Sequence, residues 1–225
     1  MTFSVIARCA NTGMFGVAIT SSSPAVAARC SFARAGTGAV ASQNVTDPTL
    51  GPKTLDAIDR GLSAADAIDS VIGNTQYSQY RQLLAVDKNG VSAIHSGEHS
   101  LGVWSHSHAT DVACGGNLLA SENIPQAMVD AFVKSKGHLG DRLINTLKTG
   151  LLAGGEAGPV YSAGLKIVHT VAWPVADLRV DWCDDCPIDA LDSLWARYQP
   201  QLNDYVQRAL NPTLAPSYGV PGDDG

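Results

Sequence analysis

The chain has 225 residues, 45% of them apolar and 16% charged, with a net charge of −6 and a pI near 5.4. A chain of this length fits one large or two small domains and buries roughly 70% of its unfolded surface without needing disulfides or a metal. The acidic balance argues against nucleic-acid or anionic-membrane partners, which want a basic face, and no apolar run approaches the roughly 20 residues of a bilayer span.

From the start, Thr2 to Arg8 alternates, with Phe3, Val5 and Ala7 on one face and Thr2, Ser4 and Ile6 on the other, as a strand between unlike surroundings does. Asn11-Thr12-Gly13 is a turn, and the apolar run Met14 to Ile19 reads as a strand covered on both sides. A small-residue segment, Ala33 to Gly38, leads into a further strand, Ala39 to Asn44. Pro52 opens a helix that stops near Gly61. Ser63-Ala64-Ala65-Asp66 resembles a capping box, and Ala64, Ala67, Ile68, Val71 and Ile72 line one helical face behind it.

Gln82 to His95 reads as a hairpin closed by Asp87-Lys88-Asn89-Gly90. Strands near Leu101 to His106 and Asp111 to Leu119 follow, then a helix pair, Pro125 to Lys136 and Gly140 to Ala153. Two more strands, Val160 to His169 and Val175 to Asp181, precede a terminal helix from Leu191 to Leu210. One domain over residues 1–210 is expected, followed by a mobile Pro/Gly-rich tail, 211–225. Hairpin-linked strands with segregated helix pairs predict an α+β fold, a four-layer αββα sandwich of two stacked antiparallel sheets.

The most informative position for chemistry is Thr2. An initiator Met before a small residue is normally removed, and the mature chain then carries a hydroxyl and an unblocked α-amine on one residue. That amine, with an ordinary pKa near 7.7–8.0, can act as the base that activates the hydroxyl. Thr2 opens directly into an apolar alternating strand, which anchors the terminus as such a mechanism requires.

Met-Thr-Phe-Ser-Val-Ile-Ala-Arg followed by Gly16-Val17-Ala18, Ala33-Arg34-Ala35-Gly36-Thr37-Gly38-Ala39-Val40 with Gln43, Gly51-Pro52, Gly116-Asn117-Leu118-Leu119 and Asp177-Leu178-Arg179-Val180-Asp181 are collinear over about residues 1–195. Together they resemble the family of domain of unknown function 1028, placed in the N-terminal-nucleophile (Ntn) hydrolase superfamily. The resemblance implies the same αββα sandwich and, by superfamily analogy, an amidohydrolase acting on a small amide or N-acyl substrate.

Carried over by position, the resemblance makes Thr2 the candidate nucleophile. The Asn117 amide or the Gly116 N–H is a candidate oxyanion donor, with a turn role for Asn117 as the competing reading. Arg34 lies where related hydrolases place a cation near the nucleophile; it could equally clamp a substrate carboxylate or form a surface ion pair. Asp177 could orient the terminal amine, although Asp-x-Arg spacing favours an internal ion pair with Arg179. The chain departs from the family pattern at Cys9, where an acid is usual, and at Gly155-Glu156-Ala157-Gly158-Pro159, where a charged Gly-Asp-Arg-Arg-Gly-like stretch is usual, so substrate contacts in that loop are expected to differ or be absent.

Other constellations are weaker. Cys183-x-x-Cys186 has no second pair to complete a zinc site, and nothing fixes a third ligand beside His106 and His108. No cofactor or metal is expected; the alternative is a binding member of the same fold, non-catalytic or dependent on a metal at those histidines. Five cysteines, an odd number, suit a reducing compartment, and Met1-Thr2-Phe3-Ser4 has no basic signal-peptide start. A cytoplasmic homodimer is the expected form, symmetric dimers being the commonest assemblies.

Overall fold

A computed structural model describes residues 2–221. Met1 and the last four residues of the tail lie outside the described residues, so the expectations that fall on them do too. Among the described residues ten strands form two sheets, and every pairing between these strands is antiparallel.

The first sheet contains β1 (Thr2–Arg8), β2 (Phe15–Ser21), β7 (Ser105–Ala109), β8 (Val112–Asn117), β9 (Ser162–Val168) and β10 (Ala176–Val180), in the order β10-β9-β2-β1-β8-β7. The second contains β3 (Ser31–Arg34), β4 (Gly38–Asn44), β5 (Arg81–Asp87) and β6 (Ser92–Ser96), in sequence order. A four-residue helix, α1 (Ala27–Cys30), leads into β3.

Three apolar layers explain the stacking. The outward residues of β1, Phe3, Val5 and Ala7, pack against Met128 and Phe132 of α4 (Ile124–Lys134) and Leu143 and Leu147 of α5 (Leu139–Leu152). On the far side, Val40, Leu83 and Ala85 pack against Leu55 and Ile58 of α2 (Leu50–Asp59) and Ile68 and Val71 of α3 (Ala64–Gly73). Between the sheets lie Ile6, Phe15, Val17, Ala39, Ala41, Leu84, Val86 and Ala113. Small alanines from both sheets, Ala39, Ala41 and Ala113, share this layer with the larger side chains. This is the αββα sandwich read from the alternation of β1 and the pairing of the helices.

The capping box holds: the Asp66 N–H donates to Ser63 Oγ at 3.1 Å. The β5–β6 hairpin closes with Gly90 left-handed at φ +81°, while the buried Asp87 carboxylate accepts the Asn89 and Val91 N–H groups at 2.8 and 3.1 Å.

Three elements differ from expectation. The strand expected at 101–106 begins at Ser105, because the Leu101 and Val103 carbonyls instead accept the Leu118 and Leu119 N–H groups. The terminal helix is two: α6 (Pro187–Tyr198) and α7 (Leu202–Leu210), separated by a 3₁₀ turn containing Pro200, which has no N–H to continue the helical ladder. The short α1–β3 segment was not separable from its small-residue surroundings. In the tail, Pro212–Leu214 forms a 3₁₀ turn, and the Arg208 guanidinium lies 3.8 Å over the Tyr218 ring.

Candidate functional site

Alternation along β1 places Thr2, Ser4 and Ile6 on the face turned toward the second sheet. Ser4 Oγ donates to Gln43 Oε1 of β4 at 2.7 Å, and Ile6 joins the core between the sheets. Thr2 stands at the end of that row, 6% exposed. Its register partners are Ser21 on β2 and Asn117 on β8. Two polar systems meet there.

On the β2 side, the Thr2 hydroxyl donates to Ser21 Oγ at 3.2 Å. Ser21 Oγ lies 2.9 Å from Ser23 Oγ, and the Arg29 guanidinium donates to Ser23 Oγ at 2.7 Å. Arg29 is held by the carbonyls of Pro24 and Ala25 at 2.7 and 3.1 Å. A fixed cation therefore reaches Thr2 through two serine hydroxyls. Polarised hydroxyl chains of this kind strengthen one another in a low-dielectric interior.

On the β8 side, the Asn117 amide donates to Gln82 Oε1 at 3.3 Å. Gln82 Oε1 also accepts from Gln43 Nε2 at 2.8 Å, and Gln82 Nε2 donates to Ser96 Oγ at 2.9 Å and to the Gly116 carbonyl at 3.2 Å. Ser96 Oγ is 2.9 Å from His106 Nδ1. Burial pushes the His106 pKa down, and His108 and His95 add to the effect. Buried amides whose hydrogen bonds are satisfied in this way fix one another's orientation. Next to Asn117, Leu118 is left-handed at φ +51°, a strained conformation for a branched side chain. It turns the chain out of β8 at the level of Thr2.

The expected site residues separate in space. Thr2, Asn117 and Gly116 come together. Gly116 pairs with Phe3 on one flank and Ser105 on the other, so its N–H is committed to the sheet ladder and Asn117 is the better-placed donor.

Arg34 is elsewhere. It pairs with Asp56 at 2.7 Å and Asp59 at 3.7 Å, and it lines a cavity of about 530 Å³ with Lys166 and Val168. Those two residues are level with Ile6 and Arg8 through Val17 and Phe15. That is four to six strand steps from Thr2, about 13–20 Å at the usual rise. Of the readings for Arg34, the surface ion pair is the one the geometry fits, because β3 runs its end away from Thr2.

Asp177 sits on edge strand β10, three strands from β1, ion-paired with Lys166 at 3.2 Å and Arg179 at 3.4 Å. It does not reach the terminal amine.

Among the described residues, no three His, Cys, Asp or Glu side chains gather as a metal would need. His108 Nδ1 faces Ser92 Oγ at 3.4 Å, and His95 Nε2 faces the Ser78 carbonyl at 3.1 Å. Cys183 and Cys186 stay half-buried at the start of α6. A cavity of about 540 Å³ lined by Val103, Trp104, His106 and Glu122 opens beyond Leu118 and Leu119.

Sequence reasoning missed Gln82, Ser23 and Arg29. Gln43 carried a signal through the motif after Val40, and Glu156 through the departure from the family pattern at 155–159, without its burial. Glu156 is 5% exposed, on a loop that runs against the end of β8: Leu119 bridges to Glu156, the Ala157 N–H donates to the Leu118 carbonyl at 2.9 Å, and the Ala120 N–H donates to the Gly155 carbonyl at 3.0 Å. Burial raises its carboxyl to a pKa of about 8, against the lowering effects of the chain's amino-terminal charge and of Ser22. Neither carboxyl oxygen has a partner in hydrogen-bond geometry among the described residues.

Residues 2–191 match the model of a family described as a family of unknown function, DUF1028. The crystal structure of protein SPO2555 from Silicibacter pomeroyi, carrying the same family model in its description, is similar with a TM-score of 0.85 and 28% identity over 92% of this chain and 90% of that one. Anbu (ancestral beta-subunit) from Yersinia bercovieri aligns over 91% of this chain and 97% of its own at 12% identity, with a TM-score of 0.36, a likeness too loose to argue from. No curated protein matches the sequence significantly. No helix among the described residues is long and apolar enough to cross a membrane.

Proposed function

The chain belongs to the DUF1028 family, and we propose that it is an N-terminal-nucleophile amidohydrolase whose Thr2, exposed as the first residue by removal of Met1, attacks a small amide or N-acyl substrate. The observation that carries this reading is the placement of Thr2. It is the first residue of a central strand, its hydroxyl turned into the gap between the sheets, between Ser21 and Asn117. The αββα layering is the frame in which such a terminus is held still.

The chemistry follows from one residue. The Thr2 α-amine takes the hydroxyl proton as Oγ1 attacks the substrate carbonyl, and the carbonyl oxygen becomes an oxyanion beside the Asn117 amide. The C–N bond then breaks, the leaving amine takes the proton from the Thr2 ammonium, and an ester to Oγ1 remains. Water, activated by the same amine, hydrolyses the ester and restores Thr2. The Arg29–Ser23–Ser21 chain orients the hydroxyl and lends it positive potential without charging the amine directly.

The test combines intact mass with acylation. Protein from the native host should lack one Met, and p-nitrophenyl acetate should give a burst with the acetyl group mapping to Thr2. Thr2→Ala should fold and show no burst; a full burst from that variant overturns the reading.

One observation favours a second reading, a small-molecule binder without turnover: Thr2 keeps only 6% of its surface exposed. A ligand that raises the melting temperature of a Met-retaining native protein, with no burst, would support it. We further take the protein to be a cytoplasmic homodimer, which light scattering and cell fractionation check.

A further inference from the structure

We infer that Glu156 is the counter-charge of the Thr2 α-ammonium, fixing the terminal amine and setting its basicity in the resting protein. The inference rests on the nucleophile reading above and deepens it.

Chain neighbours supply the geometry. Thr2 lies opposite Ser21 and Asn117. The chain leaves β8 at Leu118, immediately after Asn117, and the loop 155–157 is held against that exit: the Ala157 N–H donates to the Leu118 carbonyl at 2.9 Å, the Ala120 N–H donates to the Gly155 carbonyl at 3.0 Å, and Leu119 bridges to Glu156. On the other flank Ser22, the residue after Ser21, acts on the Glu156 carboxyl. Both strand neighbours of Thr2 therefore lead directly to residues that hold or touch Glu156.

Gly154 and Gly155 turn the loop against that exit. Both are left-handed, at φ +125° and +62°. A side chain there would add strain, so the carboxylate is delivered by a bend that glycine makes readily.

The electrostatics give Glu156 its purpose. A buried carboxylate that Ser22 alone approaches, with no partner at full hydrogen-bond geometry among the described residues, is costly unless a cation arrives. An α-ammonium in the same dry space is costly for the same reason, and burial alone would make its amine a weak base. Brought together, each removes the other's penalty, and the amine keeps a pKa suited to work near neutrality. Glu156 touches no reacting atom and acts through the amine, as a positioning residue.

The test reads the amine directly, without substrate. Periodate cleaves an N-terminal Thr only when its amine is unblocked and neutral, so the rate against pH titrates that amine, with intact mass as the readout. In the wild type the midpoint should fall at or above the ordinary α-amine range, about 7.7–8.0. In Glu156→Gln it should drop by about one pH unit, making the reaction about tenfold faster well below the midpoint, and Glu156→Asp should restore most of the shift. Coincident profiles for the wild type and the Gln variant overturn the role of Glu156 while leaving Thr2 as nucleophile, which the acetyl burst decides separately. If the Gln variant does not fold, a wild-type midpoint clearly below the ordinary range overturns it equally. A protein that retains Met1 and resists periodate overturns both readings.

Discussion

Thr2 and Asn117 stand opposite each other across β1 and β8, both turned toward the second sheet, where Gln82 receives the Asn117 amide hydrogen at 3.3 Å. The pair defines where a carbonyl would have to sit: its carbon near the Thr2 hydroxyl, its oxygen near the Asn117 amide. A donor held by a strand and a second-sheet glutamine is already aimed before substrate arrives, which is how oxyanion stabilisation avoids reorganisation during the reaction.

Asn117→Ala should therefore lower the acylation rate by about 10²-fold, the usual effect of removing one oxyanion donor. The fold should survive, because the side chain contributes one long hydrogen bond to the network. Burst kinetics with an activated ester, beside a melting curve, separate the two effects.

Arg29 and Arg34 make opposite predictions. Arg29 is two hydroxyls from Thr2, whereas Arg34 belongs to an exposed ion pair with Asp56 at the other end of the sandwich. Arg29→Met should slow acylation by about tenfold, in line with losing a charge-assisted hydrogen bond of ~1.5 kcal/mol. Arg34→Ala should leave acylation unchanged and cost less than ~1 kcal/mol in stability, as exposed pairs do. Equal losses from both would remove the hydroxyl chain from the account.

That contrast marks what the sequence can reveal. Thr2 to Arg8 was legible because β1 separates two different spaces, helices on one side and a second sheet on the other, and its residues alternate accordingly. Asn117 was legible through its Gly-Asn motif. Arg29 was not, since its link to Thr2 runs through Ser23 and Ser21, which only the turn after β2 brings together. Gln82 looked like the polar start of a hairpin until the second sheet placed it against Asn117. Glu156 stood out as a departure in a glycine-rich loop, but its burial depends on the left-handed bend at Gly154 and Gly155, which no local pattern fixes. The split between α6 and α7 has its sequence signal in Pro200, set within an otherwise helical periodicity.

Gln82 is the junction of the buried amide network. Gln82→Leu would leave the Asn117 amide without its acceptor, strip one acceptor from Gln43 Nε2, and remove the donor to Ser96. Unsatisfied buried groups cost about 1–3 kcal/mol each, so a loss of about 2–4 kcal/mol is expected in urea denaturation. A double variant with Gln43→Leu should be less than additive, since the two side chains share a hydrogen bond.

The last prediction concerns pH. In the chain that keeps Met1, burial holds the Glu156 carboxyl at about 8, well above the ordinary value of 4.5. Between about pH 5 and 8 the folded state then keeps a proton that the unfolded state has released. Stability falls as pH rises wherever the folded state binds more protons, by at most ~1.4 kcal/mol per pH unit for one group. The contribution is therefore intact below the unfolded pKa and is lost as pH climbs through the folded one. Urea denaturation at pH 5, 6, 7 and 8 should show this slope in the Met-retaining wild type, and Glu156→Gln should flatten it. A slope that survives Glu156→Gln would assign it to another group.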